Sequence, residues 1–151
     1  MIVYLIRHSH AEDREVFKGR DLDRPLTEKG KVRAKRAFTR FFNLYDKPAA
    51  VLTSAAVRSV ETASIISEIC GVKYDIRERL NPGAKIKDYL ETISDWRHAS
   101  PLAVVGHEPD LSEVISFITG GKALRLQLKK GSIAHIDDSV LVNLIQQKAL
   151  L

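Results

Sequence analysis

Three short apolar runs, at residues 2–6 (IVYLI), 49–53 (AAVLT) and 101–105 (PLAVV), do most to limit what this chain can fold into. None alternates polar with apolar, as a strand covered on both faces requires, and each is too short for a buried helix. Segments with helical spacing lie between and after them. Thr27 reads as an N-cap for a helix over 28–45, and Ser54 as a cap for one over 55–69 that stops at Gly71. Residues 86–96 space their apolar positions helically. Pro109 suits the first position of a helix that runs to about residue 118 and ends at Gly120-Gly121.

Shorter signals complete the order. Residues 73–77 alternate and predict a third strand, Asn81-Pro82-Gly83 marks a turn, and 133–136 and 140–145 predict two closing strands around a turn at Asp137-Asp138-Ser139. Strands alternating with helices predict an α/β three-layer sandwich. It would have a mostly parallel central sheet, one antiparallel strand and helices on both faces. The length of 151 residues fits a single domain over 1–151.

Composition removes several function classes. No run is long enough to span a bilayer, and the N-terminus lacks the basic and small-residue signals of a leader, so a cytoplasmic location without membrane contact is expected. A single cysteine, Cys70, permits neither an internal disulfide nor a cysteine metal cage, and its apolar setting predicts an inert thiol. The net charge of +5 favours anionic partners. Part of that charge gathers on the predicted first helix, at Lys29, Lys31, Arg33, Lys35, Arg36 and Arg40. This is either a solvated face or a docking surface for an acidic partner. No aromatic interleaving or nucleic-acid motif accompanies it, so no nucleic acid is expected as a partner. Nothing demands an obligate oligomer, and a monomer is expected.

Ligands of open α/β sheets bind beyond the C-terminal strand ends. Arg7-His8 follows the first strand, Ser54 to Arg58 follows the second and opens a helix, and His107 follows the fourth. Two histidines and two arginines thus converge from separate segments. Arginine forks match phosphate oxygens, and helix N-termini add N–H donors. A neutral histidine in cationic surroundings can attack phosphorus and carry the group covalently. Glu12 and Asp13 are within reach of such a pocket, and Lys130-Gly131-Ser132 could border it. His10 forms an H-x-H pair with His8 that can hold a metal. His98 falls in a predicted exposed loop, and His135 reads as structural.

LIRHSHAE at 5–12 resembles the RHG signature of the histidine phosphatase superfamily. TSAAVRSVETA at 53–63 is similar to its second motif, and VVGHEP at 104–109 to its second-histidine motif. Short length and DLDRPLTEKG at 21–30 resemble the small SixA-type phosphohistidine phosphatases. The resemblance implies a phosphoglycerate mutase-like fold and phosphorylation of His8. It implies a phosphate pocket of Arg7, Arg58 and His107, with Ser9, Arg24 and Ser54 contributing to substrate binding and Asp23, Arg24 and Thr27 near the mouth. Glu78 or Glu12 would be the general acid. No cofactor or metal is implied. The substrate would be a phosphorylated protein or a small phosphate ester, with inorganic phosphate as product. Ser9 stands where the signature has glycine.

Four readings compete: a phosphohistidine protein phosphatase, a phosphatase of small phosphorylated metabolites, a metal hydrolase on His8, His10 and His107, and a phosphate-binding module without turnover. The third is opposed by length, because the barrels that use H-x-H need about 250 residues.

Overall fold

The computed structural model describes residues 1–121 and 124–151. Six strands form one sheet in the order β3-β2-β4-β1-β5-β6. They are β1 (Ile2–Arg7), β2 (Ala50–Thr53), β3 (Tyr74–Ile76), β4 (Leu102–Gly106), β5 (Ile133–Asp137) and β6 (Val140–Ile145). β1, β2, β3 and β4 pair in parallel, while β5 runs antiparallel to both β1 and β6.

Strand periodicity sorts the core into two layers. Val3 and Leu5 face one way, with Leu102 and Val104, and pack on helices α3 (Ile86–Asp95) and α4 (Asp110–Thr119) through Tyr89, Leu111, Val114 and Ile115. Tyr4 and Ile6 face the other way, with Ala103 and Val105. They pack on α1 (Glu28–Leu44) and α2 (Val57–Cys70) through Phe38, Phe41, Ala63 and Ile66. This is the expected three-layer sandwich with helices on both faces.

Local signals behave as their chemistry dictates. Thr27 Oγ1 accepts from the Gly30 N–H at 2.9 Å and caps α1. Gly71 closes α2 in the left-handed conformation at φ 72°. The β5–β6 turn places Asp138 and Ser139 at positive φ. The expected Ser54 cap does not form. α2 starts only at Val57, with Ala56 at its N-cap, because the Ser54 hydroxyl accepts from the Ala56 N–H at 3.3 Å and is also engaged by His107. Pro109 likewise occupies the N-cap of α4, one position earlier than expected.

Register explains the site. Arg7 at the end of β1 sits opposite Gly106 at the end of β4, and Thr53 of β2 sits opposite Val105. The residues that follow these three strands therefore leave the sheet side by side.

Candidate active site

His8 and His107 emerge from neighbouring strand ends, with ring centroids 5.3 Å apart. His8 is buried, and its backbone N–H donates to the Gly106 carbonyl at 3.2 Å. Its Nδ1 lies 2.7 Å from the Ser9 carbonyl. A carbonyl only accepts, so Nδ1 carries the proton and Nε2 keeps its lone pair. Burial, then the nearby His107, Arg58 and Arg7, push the imidazole well below its ordinary range, against the opposing pull of the Ser9 carbonyl. His8 is thus neutral near pH 7.

His107 is held by small hydroxyls. Its Nε2 lies 2.7 Å from Ser54 Oγ and 3.2 Å from Ser59 Oγ. Its Nδ1 is approached by Arg58 Nη2 at 3.5 Å. Arginine only donates, which leaves the ring proton on Nε2, directed at Ser54. Burial and then Arg58 push His107 down to about 3. Gly106 before it needs its missing side chain, since a Cβ there would collide with the Tyr89 hydroxyl.

Arg58, in the first turn of α2, is only 2% exposed. It donates to the Asp21 carbonyl at 2.8 Å and to the Asp21 carboxylate at 3.0 Å. Burial alone would raise the Asp21 carboxyl, but Arg58 and Arg24 outweigh it and hold the group below its ordinary range. Arg7 Nη1 donates to the Leu128 carbonyl at 2.8 Å. The Nε–H groups of both Arg7 and Arg58 are buried without a protein partner among the described residues. Burial draws both guanidinium groups below their ordinary range, yet arginine remains charged in proteins.

These groups line one cavity of about 560 Å³, whose wall holds Arg7, His8, Glu12, Asp13, Arg14, Arg24, Arg58, His107, Glu108 and Lys130. The buried guanidinium of Arg58, the half-buried one of Arg7, a neutral histidine with a free Nε2 and a second neutral histidine face it together. The arrangement can bind a phosphoryl dianion and offer it a nitrogen nucleophile.

Other expected residues lie elsewhere. Glu78 sits in a 3₁₀ turn at Glu78–Leu80 and does not line the cavity, whereas Glu12 does. Ser9 is buried away from it: Oγ donates to the Gly30 carbonyl and accepts from Gln147 Nε2, each at 2.9 Å. Ser54 supports His107 rather than the cavity wall. Arg24 lines the wall and donates to the Glu12 carbonyl at 2.7 Å. Asp23 pairs outward with Arg20, and Asp21 occupies the inner position instead. His10 lines a different cleft, so His8, His10 and His107 do not assemble around one point. Among the described residues no three His, Cys, Asp or Glu side chains group to hold a metal.

Sequence reasoning missed Asp21, Glu108 and Thr62. Thr62 Oγ1 accepts from the Ser9 N–H at 3.1 Å and donates to the Arg58 carbonyl at 2.8 Å, tying the loop after β1 to the helix that carries Arg58. Glu108 accepts from the Leu128 N–H at 3.1 Å and from the Ser112 hydroxyl, so it anchors the segment whose carbonyl holds Arg7. A carboxylate three residues before Arg24 was the available signal for Asp21.

Residues 3–82 match the profile of the histidine phosphatase superfamily (branch 1). An uncharacterized protein of Picosynechococcus sp. is 34% identical over 137 residues, covering 88% of this chain and 82% of the relative. Among solved structures, the protein histidine phosphatase SixA complexed with tungstate superposes with a TM-score of 0.84, 18% identity and 100% of both chains covered. A provisionally assigned phosphohistidine phosphatase SixA from Agrobacterium tumefaciens gives a TM-score of 0.84 at 23% identity, over 95% of this chain and 96% of that one. The alpha-ribazole phosphatase from Shigella flexneri gives 0.78 at 17% identity, over 97% of each chain. At such identities these structures establish the shared fold.

Proposed function

Because this chain belongs to the histidine phosphatase superfamily (branch 1), we propose that it dephosphorylates phosphohistidine-bearing proteins through a covalent phosphohistidine on His8. The observation that carries the reading is the fixed, unprotonated Nε2 of His8 inside a cavity walled by Arg7, Arg58 and His107.

In the first step His8 Nε2 attacks phosphorus, forming a P–N bond as the bond to the leaving group breaks. Arg7 and Arg58 hold the equatorial oxygens and their negative charge. The incoming dianion raises the proton affinity of His107, whose Nδ1 takes up a proton from solvent and then donates it in a hydrogen bond to a phosphoryl oxygen. In the second step water attacks the phosphorus on His8, the P–N bond breaks, and inorganic phosphate leaves with His8 neutral again. No metal takes part in either step. Glu12 is the candidate acid for a leaving oxygen. A phosphohistidine substrate needs less help, because its ring can depart as neutral imidazole.

The protein substrate is favoured by access. Between β1 and α1 the chain builds only a 3₁₀ turn, Asp21–Asp23, and a single bridge from Ala11 to Leu26. A side chain borne on another protein can therefore reach the cavity. The tungstate held by a SixA of the same fold, a phosphate-like oxyanion, supports the pocket's chemistry. A small-molecule ester is the second reading, favoured by the likeness to the alpha-ribazole phosphatase.

The test is phosphate release from a phosphohistidine protein and from an aryl phosphate, with chelator present, by wild type and His8→Ala. Turnover by wild type alone supports the mechanism, and the preferred substrate separates the two readings. Release by neither protein favours a phosphate-binding module; loss of wild-type activity on chelation returns the question to a metal.

A further inference from the structure

The reaction cavity has a cationic neighbour. A second cleft of about 350 Å³ shares Arg7 and Lys130 with it. His10, Arg33, Lys129 and Lys148 line its remaining wall, with glutamine side chains between them and, among the described residues, no Asp or Glu. A smaller hollow reached through His10 and Arg33 adds Lys29. The positive groups come from Arg7 at the end of β1, from α1, from the segment before β5 and from the 3₁₀ helix Gln147–Leu150.

Their charges are not compensated as their neighbours' are. On the outer side of α1, Lys31 pairs with Glu28 and Glu61, and Lys35 pairs with Glu68. Toward the cleft, Lys29, Lys129, Lys130 and Lys148 make no ion pair among the described residues. Among the described residues Arg33 meets only the Gln147 amide oxygen, at 3.4 Å. His10 Nδ1 is buried there without a partner. Burial first, then Arg33, Lys130 and Lys29 push the His10 imidazole down against the opposing pull of the Gln147 side chain, and burial followed by Arg7 and Arg24 pulls the Lys130 ammonium down against the weaker pull of Asp13. Gathering like charges costs stability unless an anion joins them.

We propose that this cleft docks an acidic segment of the phosphorylated protein, flanking the residue whose phosphate enters the reaction cavity. The inference rests on the phosphoprotein reading above. The shared wall of Arg7 and Lys130 sets the two cavities one side chain apart. Carboxylates two to four residues from the phosphorylated one extend about 7–14 Å along a strand-like chain. Lysine and arginine attract them, and glutamine amides donate to them. Among the described residues neither hollow is lined by Phe, Tyr or Trp on which a base could stack, which favours protein over nucleic acid.

The test compares two peptides chemically phosphorylated on a single histidine, one with Asp-rich and one with Ser-rich flanks, and an aryl phosphate. Lys129→Glu/Lys148→Glu is set against wild type, with Lys129→Gln/Lys148→Gln as a milder pair. Wild type prefers the Asp-rich peptide by about tenfold in kcat/KM at low salt. The preference vanishes in the Glu pair, shrinks in the Gln pair and collapses near about 0.5 M salt, while aryl phosphate turnover holds. A preference that survives both pairs overturns the docking site. If wild type hydrolyses no probe, the phosphatase reading fails by itself. Anisotropy of the unphosphorylated Asp-rich peptide then decides: equal binding by wild type and the Glu pair overturns the proposal, as does tighter binding of a short oligothymidylate.

Discussion

The Nδ1–H of His8 donates to the carbonyl of Ser9, its own chain neighbour, at 2.7 Å. That bond commits Nε2 to the cavity and selects which nitrogen can be phosphorylated. Enzyme quenched during turnover carries phosphate on Nε2 of His8, seen by ³¹P NMR of the denatured protein. His8→Ala lowers kcat by at least about 10³-fold. Phosphate found on Nδ1 contradicts the tautomer, and label on another residue contradicts the nucleophile.

Ser9 itself is fitted rather than merely tolerated. It is not among the residues at positive φ, so the backbone there does not ask for glycine. Its hydroxyl joins Gly30 of α1 to Gln147 near the C-terminus. Ser9→Gly frees the backbone and orphans the Gln147 amide, which costs about 1–2 kcal/mol of stability. Activity of the folded fraction stays within a few-fold of wild type, since Oγ does not line the cavity. Urea denaturation beside kcat at low temperature checks both halves. A stabilised variant with enhanced turnover sinks the account.

Much of this was legible in the sequence because strand ends are. Uninterrupted apolar runs locate β1, β2 and β4, and parallel pairing then brings Arg7-His8, Ser54 and Gly106-His107 to one edge. What escaped depended on side chains reaching across the fold. Asp21 and Asp23 are both acidic and near Arg24, and only the 3₁₀ turn decides that Asp21 faces Arg58 while Asp23 turns to Arg20. Glu78 looked placed for the cavity by its position after β3, but the turn at Glu78–Leu80 buries Leu80 and leaves Glu78 outside it. The cationic cleft draws on β1 and the loop after it, on α1, on the segment before β5 and on the C-terminal 3₁₀ helix; Arg7, Lys130 and the charge of α1 were in view beforehand, but not that they meet Lys129 and Lys148 in one cleft.

Two buried neutral histidines impose a pH dependence on folding. His107 is pushed down to about 3, and His8 shifts the same way. The unfolded chain takes up these protons near pH 6.5. Below that pH the unfolded state binds more protons, so this contribution is intact above about 6.5 and is lost as pH falls toward 3. Each histidine adds a slope of up to about 1.4 kcal/mol per pH unit in that window. His107→Asn therefore flattens the dependence of the urea midpoint on pH between about 5 and 6.5. Parallel slopes for variant and wild type mean that His107 is not held neutral by the fold.

The leaving group discriminates the role of Glu12. Its backbone is pinned twice, by the Pro25 carbonyl at 2.9 Å and by Arg24 Nη1 at 2.7 Å, and it lines the cavity together with the carboxylates of Asp13, Glu15 and Glu108. Glu108 already commits both carboxylate oxygens to Ser112 and Leu128, which ties it to the loop rather than to a leaving group. General acid catalysis matters most when the departing atom is a basic oxygen. Glu12→Gln lowers kcat for an alkyl phosphate by about 10²-fold. The same variant changes turnover of a phosphohistidine peptide or an aryl phosphate with an acidic phenol by only a few-fold, because those groups leave without a proton from the protein. A Brønsted plot of kcat against leaving-group pKa reads the difference directly: its slope steepens in the variant if Glu12 supplies the proton. An unchanged slope with a uniform loss assigns Glu12 to binding instead, and transfers the acid role to Asp13, Glu15 or solvent.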